Sequence, residues 1–206
     1  SVFVRGDYAR VEGLSVDAQG GPVAISLLCG RGCGISRNVI SNVGDPAASG
    51  AARYAVRITT GERHVVLGND IAAVSGAAGI RDPRRGCFGL SGGVVAGVQL
   101  DAGAQQSTIA GNAISGVRGG AGGRALECYR LANGVCLATS GGDGGTAIGI
   151  NLADQAGLHT VIGNTLRDIR GGIGASGTGR GLGGAGGRAM GVLLGGANNR
   201  LHANRM

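Results

Sequence analysis

Twelve acidic residues, three histidines, five cysteines and nineteen basic residues are the groups in this 206-residue chain that could do chemistry. Inverting glycoside hydrolysis needs two carboxyls about 6.5–9.5 Å apart. Asp101 and Asp154 come nearest to such a pair, because they follow Leu100 and Leu152, the ends of two similar apolar segments. Asp101 stands directly after its leucine and Asp154 one place further on, so the two need not share a face. Both are expected to be solvated turn residues. His64 and His159 each stand five positions before an asparagine, Asn69 and Asn164, in units two apart. Stacked at the inter-strand spacing, they would be about 9–10 Å apart, too far for one metal ion, and they read as turn residues. No Gly-x-Ser-x-Gly segment marks a serine nucleophile. The glycine-rich tracts lack the Lys-Ser/Thr that completes a phosphate-binding loop. No catalytic residue, metal site or cofactor is expected, and the reading favours a protein without enzymatic activity.

The cysteines divide into two close pairs and one remainder. Cys29 and Cys33 flank Gly30-Arg31-Gly32, Cys128 and Cys136 flank a longer stretch, and Cys87 stands alone. Each pair can close a small loop as a disulfide, leaving Cys87 unpaired or intermolecular. Zinc is the rival reading, but neither pair has C-x2-C spacing and no histidine is close in sequence. Disulfides would place the chain in an oxidising, extracytoplasmic setting.

The formal charge is +7. The chain contains no lysine, so every basic residue is arginine, the better fork for carboxylate, sulfate and phosphate. The arginines gather in the glycine-rich stretches. Arg81, Arg84, Arg85, Arg124 and Arg188 are the candidate contacts for an acidic glycan, against the plainer reading of a charged, soluble loop surface. Nucleic acid is disfavoured, because the basic residues occur mostly singly and aromatics for base stacking are few. No apolar run approaches the roughly 18 residues of a membrane helix.

What could position these groups is a repeat. Ile109, Asn112, Ile114 and Val117 recur as Ile35, Asn38, Ile40 and Val43, as Val66, Asn69, Ile71 and Val74, and as Val161, Asn164, Leu166 and Ile169. Leu201, Asn204 and Met206 begin the pattern again, and Val11, Leu14 and Val16 keep its spacing with leucine in place of asparagine. A short period-two strand precedes each unit: Ala24-Ile25-Ser26-Leu27, Ala55-Val56-Arg57-Ile58, Gly97-Val98-Gln99-Leu100, Gly149-Ile150-Asn151-Leu152 and Gly191-Val192-Leu193-Leu194. The step from strand to asparagine is nearly constant, whereas the return to the next strand varies. Insertions fall at approximately Gly44–Arg53, Ser75–Val95, Arg118–Thr146 and Arg170–Arg188. A constant module with variable connections on one side predicts a solenoid whose coils share one core.

Composition agrees. With Gly 46, Trp 0 and Phe 2, the core must be thin layers of Val, Ile, Leu and Ala. Pro is only 3 and glycine keeps no three-residue period, so collagen is excluded. Glycine tracts read by default as flexible linkers, but the repeated Gly-Gly-Ala-Gly-Gly-Arg-Ala at Gly119–Ala125 and Gly183–Ala189 favours loops that stack with their backbones in close contact. The asparagines are expected to turn the chain through a left-handed conformation and to bond one another in a ladder.

On Asn38, Asn69, Asn112, Asn164, Asn204 and their flanking aliphatic residues, the chain resembles the right-handed parallel β-helix superfamily, the pectate-lyase-like solenoids. The resemblance implies an all-β right-handed parallel β-helix of about five to six coils, with Gly-rich loops inserted on one side. Residues 1–206 would form a single β-helix domain. The chain starts strand-like without an initiator methionine and stops inside a repeat, so it is expected to be a processed chain or a segment of a longer one. The superfamily includes polysaccharide lyases, glycoside hydrolases, tailspikes and adhesins, and no catalytic residue of the lyase or hydrolase patterns carries over. The expectation is an extracellular or cell-surface structural protein, a fibre subunit or adhesin that associates end to end. The alternative is a module that binds or cleaves acidic polysaccharide through the arginine-bearing loops.

Overall fold

The computed structural model describes residues 1–45, 51–80, 88–125, 139–153, 157–178 and 181–206, together with the backbone of 129–130 and 136–137. Every regular element among them is a strand. The first sheet contains Val2–Arg5, Val23–Leu28, Arg53–Glu62, Val95–Gln105, Ala147–Leu152 and Ala189–Leu194. The second contains Arg10–Glu12, Gly34–Ser36, Val65–Leu67, Thr108–Ala110, Thr160–Ile162 and Arg200–His202. The third contains Ser15–Asp17, Val39–Ser41, the two pieces Asp70–Ile71 and Val74–Ser75, Ala113–Arg118 and Thr165–Arg170. All neighbours in these three sheets are parallel. A separate antiparallel pair joins Tyr129–Arg130 to Cys136–Leu137.

The chain visits the first, second and third sheets in rotation. Two strands adjacent in a sheet are therefore one whole pass apart in sequence, and the pass itself supplies the long crossover that parallel pairing requires. The strands that precede each asparagine unit form the first sheet. The asparagine units run from the second sheet into the third, with the asparagine at the corner.

Register stacks like on like. One row of the first sheet is Ile25, Val56, Val98, Ile150 and Val192, and the next is Leu27, Ile58, Leu100, Leu152 and Leu194. Ile35, Val66, Ile109 and Val161 line the second sheet, and Ile40, Ile71, Ile114 and Leu166 the third. These side chains are essentially inaccessible until the last pass, where Leu194 and Leu201 emerge to 40% and 44% exposure. The columns of the three sheets meet in one buried aliphatic cluster.

The corner chemistry differs from the expectation. None of the five repeated asparagines is left-handed. The residue before each one is: Arg37, Gly68, Gly111, Gly163 and Ala203 have φ of 55°, 63°, 62°, 64° and 52°. The turn and the hydrogen bond are thus divided between two adjacent residues. A second left-handed column lies in the third sheet, where Ala73 (φ 53°) precedes Gly116 (φ 62°) in the next pass. A non-glycine residue there carries about 1–2 kcal/mol of strain, partly offset because glycine loses more freedom on folding. Ala73→Gly should therefore stabilise the protein by about 0.5–1 kcal/mol, measured by chemical denaturation.

All four long connections leave the third sheet and return to the first. Three of them form a layer in which glycine does keep a three-residue period, locally. At one level Gly93 N–H donates to Ala77 O, Gly120 to Gly93 O, Gly145 to Gly120 O, Gly172 to Gly145 O and Gly187 to Gly172 O, at 2.6–3.0 Å. Three residues along, Leu90 donates to Ile80 O, Gly123 to Leu90 O, Gly142 to Gly123 O, Ala175 to Gly142 O and Gly184 to Ala175 O. The outgoing segments 76–80, 119–123 and 171–175 also bond side by side, as do the returning segments 89–93, 141–145 and 182–187. A three-residue repeat is that of polyproline-II chains, which have no internal hydrogen bonds; here neighbouring segments take the backbone bonds that water otherwise would, and close packing of such chains admits only glycine at the contacts. An added Cβ on Gly119, Gly120, Gly122, Gly142, Gly144, Gly145 or Gly172 would overlap a neighbouring carbonyl.

Candidate functional site

The asparagine column is the most regular constellation of side chains in the structure. Asn38 Nδ2 donates to Asn69 Oδ1 at 3.0 Å, Asn69 to Asn112 at 2.9 Å, Asn112 to Asn164 at 2.9 Å and Asn164 to Asn204 at 2.9 Å. The second hydrogen of each Nδ2 reaches back to a carbonyl of the preceding pass: Val11, Ile35, Val66, Ile109 and Val161. Each Oδ1 from Asn69 onward also accepts the backbone N–H of the asparagine before it. One amide therefore ties three successive passes together. The first four are buried, with exposures of 0–1%, where unpaired polar groups are costly. At the first pass Leu14 interrupts the column, and only its backbone N–H bonds to Asn38 Oδ1, at 3.0 Å.

A second polar column runs five residues ahead of the first, through Cys33, His64, Ser107, His159 and Asn199. It works by the same rule. Cys33 N–H donates to His64 Nδ1 at 3.3 Å, Ser107 N–H to His159 Nδ1 at 3.0 Å, and His159 N–H to Asn199 Oδ1 at 2.9 Å. His64 and His159 stand at a corner, where they are expected, and they are fully buried. The sequence offers only their shared offset from the asparagine as a signal, because the column mixes four residue types.

Burial pushes both imidazoles below their ordinary value of 6.5, against weaker opposing effects from backbone hydrogen bonds. Above 6.5 both folded and unfolded chains hold neutral imidazole. Below it the unfolded chain binds a proton that the folded chain resists, so stability falls as pH drops from 6.5 toward the lowered folded value. His159→Asn keeps an acceptor for Ser107 N–H, as Asn199 shows in the next pass. The variant should show a smaller loss of Tm between pH 7 and pH 5 than the parent.

Cys29 and Cys33 lie within bonding distance as a disulfide, with Cα atoms 6.5 Å apart. Both are buried, and His64 lies against them. The histidine that the sequence did not place near these cysteines thus arrives from the next pass. Cys87 and Cys128 lie outside the described residues, and only the backbone of Cys136 is described.

The arginines are dispersed. Arg81, Arg84 and Arg85 lie outside the described residues. Arg124 and Arg188 are both exposed, but they sit at opposite ends of the glycine layer. They are five residues apart along the direction of these segments, roughly 15 Å at about 3.1 Å per residue. Arg118 and Arg170 both pair with Asp168, at 3.3 Å and 2.5 Å. Asp101 is not a free turn carboxylate: Arg57 holds it at 2.9 Å and Gln99 Nε2 donates to it at 3.1 Å. Asp154 lies outside the described residues.

No helix among the described residues is long and apolar enough to cross a membrane. No family model matches the sequence, and no curated protein matches it.

Proposed function

We propose that the chain is a right-handed parallel β-helix of the pectate-lyase-like kind whose role is structural: a rod of the cell surface or extracellular space, acting as a fibre subunit or adhesin. Three parallel sheets visited in rotation support the solenoid, and the strong preference of parallel crossovers for one hand supports its handedness. The observation that carries the structural role is the asparagine column. Amides bonded across five consecutive passes, the first four of them buried, spend their polar groups on one another and are suited to resisting extension and unwinding.

We propose end-to-end association as the mode of assembly. Leu194, Leu201 and Met206 are exposed at 40%, 44% and 76%. An open groove of about 410 Å³ lies beside them, lined by Leu166, Ile169, Met190 and Met206 among others. The strands Val2–Arg5 and Ala189–Leu194 are the two edges of the first sheet, and open edges invite further strands. A second copy, stacked on this end, would continue both the apolar columns and the amide column.

The experiment is negative-stain microscopy and sedimentation of the protein expressed from its whole open reading frame. Rods whose length grows in steps with concentration are expected. Monodisperse short particles at every concentration would remove the fibre reading. A panel of acidic polysaccharides tests the alternative module in the same preparation, with binding and then chain cleavage as successive readouts.

A further inference from the structure

We infer that the reduced form of the Cys29–Cys33 pair, together with His64, is a binding site for a thiophilic divalent cation such as Zn²⁺, so that cross-link and metal are alternative occupants of one corner of the fold. The candidate ligand atoms of the three residues lie within 4.8 Å of one another. In the oxidised pair the two Sγ atoms are at bonding distance, whereas a tetrahedral site with Zn–S of about 2.3 Å and Zn–N of about 2.0 Å has edges of about 3.5–3.8 Å, so the cation enters only once the bond is broken and the thiols part. All three residues are buried, at 2%, 0% and 0% exposure. The donors come from two passes: the cysteines flank the tight Gly30-Arg31-Gly32 turn, and the histidine stacks on Cys33 from the next pass.

The histidine is oriented for the task. Its Nε2 lies 3.0 Å from Thr60 O, a partner that requires a proton on that nitrogen. The lone pair is therefore on Nδ1, the nitrogen that faces Cys33. An imidazole whose far nitrogen donates to a backbone carbonyl is the usual outer-shell arrangement of a metal-bound histidine. The contact that a metal would displace, Cys33 N–H to Nδ1, is the longest in its column at 3.3 Å.

The chemistry balances with a dithiol as reductant. It supplies two electrons and two protons to the Cys29–Cys33 bond, yielding two thiols, and is itself oxidised to a disulfide. Binding of the cation then releases the two thiol protons to solvent and leaves two thiolates and one neutral imidazole on the metal.

The test uses the full chain carrying Cys87→Ser, Cys128→Ser and Cys136→Ser, so that no other thiol competes. The protein is reduced, freed of reductant without air, and titrated with Co²⁺ as a spectroscopic stand-in for Zn²⁺. One equivalent should bind with micromolar or tighter affinity, giving thiolate-to-cobalt absorption in the near ultraviolet, and Zn²⁺ should displace it. The oxidised protein should give no such band. His64→Asn keeps an acceptor for Cys33 N–H but removes the imidazole, and it should weaken binding at least tenfold while circular dichroism stays that of the parent. The inference is overturned if the reduced protein binds no Co²⁺, if its spectrum is indifferent to His64→Asn, or if reduction alone abolishes the β signal, because the site needs both passes in place.

Discussion

Asn112→Ala is expected to destabilise the protein by about 4 kcal/mol, the effect of orphaning several buried polar groups at once at about 1–3 kcal/mol each. Asn112 is the middle of the column. Truncation removes the acceptor for both Asn69 N–H and Asn69 Nδ2, and the donor to Val66 O and to Asn164 Oδ1. Water cannot make good the loss, because Asn69 and Asn164 are themselves 1% and 0% exposed. For a chain of this size the change corresponds to a fall in Tm of roughly 10 °C. Asn112→Asp separates the two halves of the interaction. Its carboxylate can still accept from Asn69 but points a charge at Val66 O and Asn164 Oδ1, where only a donor fits. Its stability should improve as pH falls and the carboxyl gains a proton to donate. Thermal melts of the parent and both variants across pH check this. A change under 1 kcal/mol for Asn112→Ala would mean that the amides are spectators of the stacking.

The second large effect concerns the glycine layer, and it differs sharply within one repeated phrase. In Gly119-Gly120-Ala121-Gly122-Gly123 every glycine is tight, because segment 119–123 has neighbours on both sides. An added Cβ on Gly120 would overlap Ala77 O, and one on Gly123 would sit 2.6 Å from Ile80 O. In Gly183-Gly184-Ala185-Gly186-Gly187 the segment is at the margin of the layer. Gly184 and Gly187 are as tight as before, but a Cβ on Gly183 or Gly186 would find its nearest atom at 3.5 Å or 3.9 Å. Gly120→Ala should cost about 4 kcal/mol, from overpacking and from hydrogen bonds pulled open around it. Gly186→Ala should be neutral or stabilise by about 0.4–1 kcal/mol, because alanine has less freedom to lose. Denaturation measures the two energies, and amide hydrogen exchange at Gly93, Gly145 and Gly172 reports whether the layer opens in Gly120→Ala. Equal effects of the two substitutions would exclude a layer closed by backbone contact.

What the sequence by itself determined was the vertical order of the molecule. Ile35, Asn38 and Ile40 recur at one spacing in pass after pass, and a spacing kept within each pass becomes a column once passes lie on one another. The parallel strands, the aliphatic rows and the amide ladder were legible for that reason. The asparagine makes the hydrogen bonds but not the turn, and residue type does not show this: Arg37 and Ala203 take the same left-handed turn as Gly68 with no common chemistry. Only the tertiary structure decided the rest, which depends on what faces what across passes of unequal length. The glycine period is hidden in sequence because Gly93, Gly120, Gly145, Gly172 and Gly187 share a level while sitting 27, 25, 27 and 15 residues apart. His64 reaches Cys33 across 31 positions, and Asp101 meets Arg57 across 44. Insertions of different length shift the sequence distance between passes but leave their spatial spacing unchanged. Contacts within a pass can therefore be read from the chain, and contacts between its inserted segments require the fold.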